Sequence, residues 1–159
     1  MAKPTYIQPD MESWVKRFYF FMPINVRYCE TDMSGHVNNI SYFIYFEEGR
    51  INYFNNLPGG REQIFEEGSD LMIVAADVAC HYLAEVFMED KVKLGVRVAS
   101  MGRSSLEFEY CLKLENRDVI ATTGRGTIVL MSKATHKSVA IPEKLKKEIA
   151  VFEKLEMVK

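Results

Sequence analysis

The sequence predicts an α+β domain in which one long helix lies across a mostly antiparallel sheet of about five strands, with an extra helix at the C-terminal end. Three observations carry this reading. Residues 72–80, 92–98 and 106–114 alternate with a period of two, residues 40–54 carry an apolar 3.6-residue spacing, and a second amphipathic stretch follows Pro142. The chain has 159 residues, 48% of them hydrophobic and 26% charged, enough for one domain with its own core and too few for two.

Residues 1–17 contain Pro4 and Pro9 and little periodicity, so they form an N-terminal arm with one short helical turn at 10–14; residues 18–159 form the single domain. The aromatic and β-branched run 18–28 favours a strand ending at Glu30, Thr31 and Asp32, and Pro23 puts it at a sheet edge or a bulge. Asn38 or Asn39 caps the long helix, whose buried stripe is Ile40, Phe43, Ile44, Ile51 and Phe54. Asn55, Asn56, Pro58, Gly59 and Gly60 close it, and a further short helical turn fits the polar stretch 61–70.

The strands follow. Met72, Val74, Ala76, Val78 and Cys80 share one face of the first, and Val92, Leu94, Val96 and Val98 one face of the next. Leu106, Phe108, Tyr110, Leu112 and Leu114 alternate with Glu107, Glu109, Cys111, Lys113 and Glu115, so the second face of that strand is wet or covered by polar partners. A turn at 116–118 leads into a last strand over 119–132, where Gly124 and Gly126 suit a bend or a close backbone approach. Pro142 opens the final helix, with Leu145, Ile149, Phe152 and Leu155 as its stripe.

Twenty Lys and Arg against 22 Asp and Glu give a net charge of -2, which lacks the basic excess of a nucleic-acid binder. No apolar run reaches the roughly 18 residues of a membrane span, and the first residues lack the apolar stretch of a secretory signal, so a cytoplasmic location is expected. Cys29, Cys80 and Cys111 are widely separated and have no C-x-x-C spacing, so they read as reduced, ordinary side chains.

The densest chemical signal is residues 28–39, where a carboxylate, an imidazole and two amides crowd the turn between a strand and a helix. A helix start supplies unpaired N–H groups and partial positive charge, which polarise a carbonyl or hold an oxyanion. Asp32 beside it can attack that carbonyl or activate water.

The stretch from Val26 to Arg50 resembles the hotdog-fold acyl-CoA thioesterases of the hydroxybenzoyl-CoA thioesterase-like group. The Asp-x-x-Gly turn falls on Asp32 and Gly35, and the helix residues of the pattern fall on Tyr42, Glu47 and Arg50. The run from Met101 through Gly102, Arg103, Ser104 and Ser105 to Leu106 also resembles the family's connection into its fourth strand. The resemblance implies a hotdog fold, hydrolysis of an acyl-CoA or related thioester to acid and thiol, Asp32 as nucleophile or general base, and the Asn39 N–H as the polarising amide. It implies at least a homodimer, or a homotetramer, with the site at the subunit boundary. His36 is expected to orient the water or the leaving thiolate, and Gly35, Asn38, Tyr42, Arg103 and Ser104 to contact substrate.

The His-Val-Asn-Asn segment is also similar to plant acyl-carrier-protein thioesterases, with Asp32 and His36 matching and Ser34 standing where an asparagine is expected. Enoyl-CoA hydratases use Asp-x-Asn-Pro-x-His, one residue longer than the Asp32 to His36 spacing and without its Asn and Pro. The alternatives are therefore an acyl-carrier-protein thioesterase or a noncatalytic module that binds acyl thioesters.

Each residue also has a structural role to weigh. Asp32 can cap its own turn, and the Asn38 and Asn39 side chains can cap the helix. Glu47 is expected to pair with Arg50, and most of Tyr42, Tyr45, Phe46, Tyr53 and Phe54 to be core. A cross-strand or intersubunit hydrogen bond accounts for Asp77 and His81. A metal site from Cys29, Asp32 and His36 has no second ligand cluster behind it, so neither metal nor cofactor is expected. Lys91, Lys93, Arg97 and Arg103 are either solvated surface or contacts for coenzyme A phosphates, with Arg103 foremost.

Overall fold

The alternating stretches pair into one five-stranded sheet, in the order β1-β3-β4-β5-β2 with every pairing antiparallel. A computed structural model describes residues 4–155. In chain order the elements are α1 (Met11–Val15), β1 (Phe20–Ile24), a 3-10 turn (Tyr28–Glu30), α2 (Ser41–Asn56), α3 (Gly60–Phe65), β2 (Leu71–Tyr82), β3 (Val92–Met101), β4 (Ser105–Leu114), β5 (Val119–Ser132) and α4 (Glu143–Glu153). The first strand is shorter than the aromatic run predicted. It stops at Ile24, and residues 28–30 turn back in a 3-10 helix instead of extending to Asp32. Pro23 does sit at an edge, because β1 pairs only with β3.

Helix α2 crosses the sheet with a different face inward from the one its aliphatic spacing suggested. Tyr42, Tyr45, Phe46, Gly49, Tyr53 and Phe54 are buried, whereas Ile40, Phe43, Ile44 and Ile51 are 64, 37, 47 and 38% exposed. Both stripes are apolar at helical spacing, so periodicity alone does not choose between them. Gly49 does: a Cβ there would stand 2.6 Å from Leu94 Cδ2 and 2.8 Å from Val96 Cγ2, so only this face lets the helix axis approach β3 so closely. The aromatic residues fill the space on either side of that contact. Phe46 stacks on Tyr110 with ring centroids 4.2 Å apart, and Tyr53 meets Phe108 edge-on.

Strand β2 carries a second departure. Ala76 has no partner on β5, because the register moves from Ala75↔Ile128 directly to Asp77↔Thr127. The extra residue is a bulge that flips the facing of the strand. Ile73 before it and Val78 and Cys80 after it pack on the core, so the predicted single face from Met72 to Cys80 is split. Asp77 and His81 lie on the outer side, where Asp77 bonds Arg125 and Thr127 across the strand pair and His81 bonds the Tyr6 hydroxyl.

The polar face of β4 is covered by the chain's own beginning. Ile7, Trp14 and Phe18 pack with Cys111 on the outside of the sheet, and the Trp14 indole N–H donates to Glu109 at 2.7 Å. Arg97, expected at the surface, is buried and lies 3.2 Å from Glu109 and 4.0 Å from Glu153. Glu153 also accepts from the Val98 N–H and the Tyr53 hydroxyl, capping the part of β3 that runs beyond β1.

Burial lifts the Glu109 carboxyl above its ordinary range despite Arg97 and Trp14, and it lifts Glu153 likewise despite Tyr53, the Val98 N–H and Arg97. The folded state therefore holds these protons more tightly than the unfolded chain. Their contribution to stability is complete below the usual glutamate pKa of about 4.3 and is lost as pH rises through the raised folded values. Glu109→Gln is expected to flatten the fall in melting temperature over this window, as thermal melts of both proteins across pH will show.

Candidate active site

The link between β1 and α2 is tied down before it reaches any reactive group. Glu30 is buried and accepts from the Arg27 N–H at 2.8 Å, from the Arg27 guanidinium, and from the Tyr45 hydroxyl at 2.8 Å. Burial works against its charge, but the Arg27 and Tyr45 hydrogen bonds outweigh it and hold the carboxyl below its ordinary range. Asp32 then opens a tight hairpin closed by Gly35 N–H to Asp32 O at 3.0 Å and Asp32 N–H to His36 O at 2.9 Å. Gly35 turns the chain with φ +83°, a left-handed value that a Cβ disfavours.

Within this hairpin the Asp32 carboxylate is oriented on both oxygens. Oδ1 accepts from the Ser34 N–H at 2.7 Å, and Oδ2 lies 3.3 Å from His36 Nδ1. Asp32 and His36 side chains are each 31% exposed and open into a cleft of about 340 Å³. Val37, Asn39 and Tyr42 join them from the turn and helix, and residues 82–85 form the far wall. His36 meets the ring of Phe87, just beyond that wall, edge-on.

The helix start differs from the predicted cap in a way that matters chemically. Ile40 stands at the cap position without a side-chain bond, and Asn38 turns the chain into the helix, its Oδ1 accepting the Ile40 N–H at 3.0 Å and its carbonyl the Ser41 N–H at 3.0 Å. Asn39 caps nothing with its side chain. Its carbonyl accepts from the Tyr82 hydroxyl at 3.0 Å, and among the described residues its own N–H finds no acceptor. Tyr42 stands against Tyr82 with ring centroids 5.1 Å apart. Burial pushes both hydroxyls up to about 12, so both rings are neutral donors at physiological pH.

The fold thus brings Asp32, His36, Asn39 and Tyr42 to one cleft, with Gly35 and Asn38 shaping the backbone that presents them. It does not bring Arg103 and Ser104 there. They lie in the β3–β4 hairpin, where their carbonyls accept from Ile141 and Leu130. The cleft lies at the Tyr82 end of β2, opposite Thr122 on β5, whereas the hairpin adjoins Val129 toward the other end of β5, about seven residues and roughly 23 Å along that strand. The expected Glu47 to Arg50 pair is also not formed. Arg50 is buried and donates to the Tyr110 hydroxyl, while Glu47 is exposed. Residues 82–85 escaped sequence reasoning. Only the aromatic end of the strand at Tyr82 marked the place where β2 meets the helix start.

Chemically, the arrangement sets a fixed carboxylate, a neighbouring imidazole and a free backbone N–H around one open space. That set can attack or hydrate a carbonyl whose oxygen is held by the amide. Among the described residues no three His, Cys, Asp or Glu side chains gather as a metal site, and no helix is long and apolar enough to cross a membrane.

Comparisons with known proteins bear on the family and the fold. A family model described as the thioesterase-like superfamily matches residues 26–149, from before the Asp32 hairpin into α4. The chain is 37% identical over 141 residues to the uncharacterized protein YsmA of Bacillus subtilis, covering 88% of this chain and 91% of that one. It is 26% identical over 127 residues to the acyl-CoA thioesterase YbgC of Haemophilus influenzae, covering 80% and 91% respectively. Among solved structures, a thioesterase from Thermus thermophilus in complex with coenzyme A and Zn superposes with TM-score 0.74 at 29% identity, covering 89% of this chain and 99% of that one. The chain carries the hotdog fold and belongs to the thioesterase-like superfamily.

Proposed function

We propose that this protein hydrolyses acyl-CoA thioesters to free acid and thiol in the cleft between the Asp32 hairpin and the start of α2. The observation that carries this reading is the Asp32 carboxylate, held on both oxygens and open to a cleft that also contains the unpaired Asn39 N–H. The thioester carbonyl oxygen accepts from that N–H, and Asp32 either attacks the carbonyl carbon or takes a proton from water that does so. His36 orients the water or the departing thiolate. Coenzyme A in the Thermus thermophilus relative and the name of the Haemophilus influenzae relative support the carrier.

The reading includes a homodimer. Strand β2 is a long edge with Val74, Ala75, Ala76 and Asp77 exposed, and it has no lysine or proline to discourage pairing. Antiparallel pairing of two copies centred on Ala76 sets Leu71 of one beside His81 of the other. The partner's Arg103 and Ser104 then lie toward the cleft that this chain's own copies cannot reach, where Arg103 can meet coenzyme A phosphates. The exposed stripe of Ile40, Phe43, Ile44 and Ile51 provides further apolar surface for a subunit contact.

The test offers purified protein a panel of acyl-CoA and acyl-carrier-protein thioesters and follows thiol release, with light scattering for mass. Release from the coenzyme A esters by a species of twice the 18.3 kDa chain is expected. Ala76→Glu places like charges together at the proposed two-fold and is expected to weaken the dimer and reduce turnover in parallel, by tenfold or more. Binding without thiol release from any ester would contradict the hydrolase reading.

A further inference from the structure

A second hollow, of about 270 Å³, lies farther along the same helix. Glu47, Arg50 and Ile51 of α2 line it together with Phe65, Ile73, Ala75 and Ile128. Between it and the Asp32 cleft, the buried Tyr42 and Phe46 of α2 and the partly buried Val78 and Cys80 of β2 pack in one apolar cluster. From Asn39 to Arg50 the helix rises about 16 Å. An extended acyl chain of roughly ten carbons covers that distance once the reach of the arginine side chain is allowed for.

Arg50 is 7% exposed, yet among the described residues no carboxylate lies within ion-pair distance of it. The other buried arginine among the described residues, Arg97 on β3, shows the usual arrangement, with Glu109 and Glu153 beside it. Arg50 has instead the Tyr110 hydroxyl at 3.0 Å and the Tyr110 ring beneath its guanidinium, 6.0 Å to the centroid. Burial holds that hydroxyl up at about 12, so it is neutral and leaves the charge uncompensated. The remaining guanidinium donors open on the hollow. The buried side-chain atoms without a partner among the described residues belong to Arg17, Gln63, Arg97, Thr122 and Glu153, not to Arg50. Glu47 stands at the mouth, exposed to water that screens its charge.

A largely buried guanidinium without a countercharge is costly, and a carboxylate is the group its planar fork fits best. We propose that the hollow around Arg50 receives the far end of the acyl group and that this end carries a carboxylate, so that the preferred substrates are monothioesters of medium-length dicarboxylic acids. The inference rests on the thioesterase reading for turnover, and on Arg50 alone for recognition. With the thioester carbonyl at Asn39, the distal carboxylate accepts two N–H bonds from Arg50, and the methylenes run past the partly buried Val78 and Cys80.

The experiment compares the coenzyme A monothioester of decanedioic acid with decanoyl-CoA and 10-hydroxydecanoyl-CoA, and measures binding of free decanedioate and decanoate by calorimetry. Wild type is expected to favour the diacid ester at least tenfold in kcat/KM and to bind decanedioate at least tenfold more tightly than decanoate. In Arg50→Met, checked for folding by thermal melt, both ratios fall to near one; Arg50→Lys, which keeps the charge but loses the fork, is expected to fall between. Equal or greater activity on the decanoyl or hydroxydecanoyl ester, or ratios unchanged in Arg50→Met, would overturn the proposal. Arg50-dependent binding of decanedioate without thiol release from any ester would sustain it and refute the hydrolase reading instead.

Discussion

Asp32→Asn is expected to lower kcat/KM on the best coenzyme A ester by about a thousandfold, roughly 4 kcal/mol of transition-state stabilisation. The substitution is chosen because the amide oxygen can still accept the Ser34 N–H, which holds Oδ1 at 2.7 Å, so the hairpin keeps its shape. What it removes is the negative charge that attacks the carbonyl or takes the proton from water. Asp32→Ala removes the turn contact as well and is expected to lose at least as much activity, with some loss of stability. Asn39→Ala makes an informative contrast. It deletes a side chain that caps nothing but retains the backbone N–H assigned to the oxyanion, so its effect is expected to stay within about tenfold. Thiol release in all three variants, with light scattering to confirm unchanged assembly, checks the set. Full turnover in Asp32→Asn would remove this carboxylate from the mechanism.

The largest effect on stability is expected at Phe46. Its ring is fully buried, stacked on Tyr110 on one side and lying against Gly124 on another, where an added Cβ would come within 2.6 Å of Phe46 Cε2. Phe46→Ala leaves a cavity at the centre of the helix-on-sheet contact that these rigid neighbours cannot collapse to fill. The cost is expected at about 3–5 kcal/mol. For a domain of this size that lowers the melting temperature by roughly 6–20 °C. The same packing makes Gly124 intolerant of a side chain, because Phe46 is clamped by Tyr110 and the Ala79 carbonyl lies 3.0 Å from the position a Cβ would take. Differential scanning calorimetry of Phe46→Ala measures the effect; a shift under 2 °C would show that the aromatic stack carries little of the core.

The strands were legible where alternation was uninterrupted. Val92 to Val98 and Leu106 to Leu114 alternate cleanly because side-chain direction reverses at every residue of a regular strand, and their apolar members are all buried. In β2 one extra residue at Ala76 reversed the facing, and nothing in a run of small and branched side chains marks where such an insertion falls. The existence of α2 was plain, but its orientation was not, since the aliphatic and aromatic stripes are both apolar. The deciding residue was Gly49, whose importance lies in the distance to Leu94 and Val96, and these are distant in the chain.

The site follows the same division. Asp32, Gly35 and His36 are neighbours in the chain, so the hairpin that gathers them is a local product of the Asp-x-x-Gly turn. Asn39 and Tyr42 follow within the next two turns of chain and reach the cleft for the same reason. The wall at residues 82–85 and the isolation of Arg50 depend on which strand lies beside α2, a tertiary fact that no local pattern encodes. Likewise, the i,i+3 spacing of Glu47 and Arg50 permits an ion pair, but Arg50 turns inward to Tyr110 while Glu47 faces water.

The most direct test of the central claim is a crystal structure of the Asp32→Asn protein with a nonhydrolysable thioether analogue of an acyl-CoA. The predicted complex places the analogue's carbonyl oxygen within about 3 Å of the Asn39 N–H and its carbonyl carbon within about 3.5 Å of the residue 32 side chain. An analogue bound with its carbonyl away from both groups, or seated on a different surface, would contradict the account.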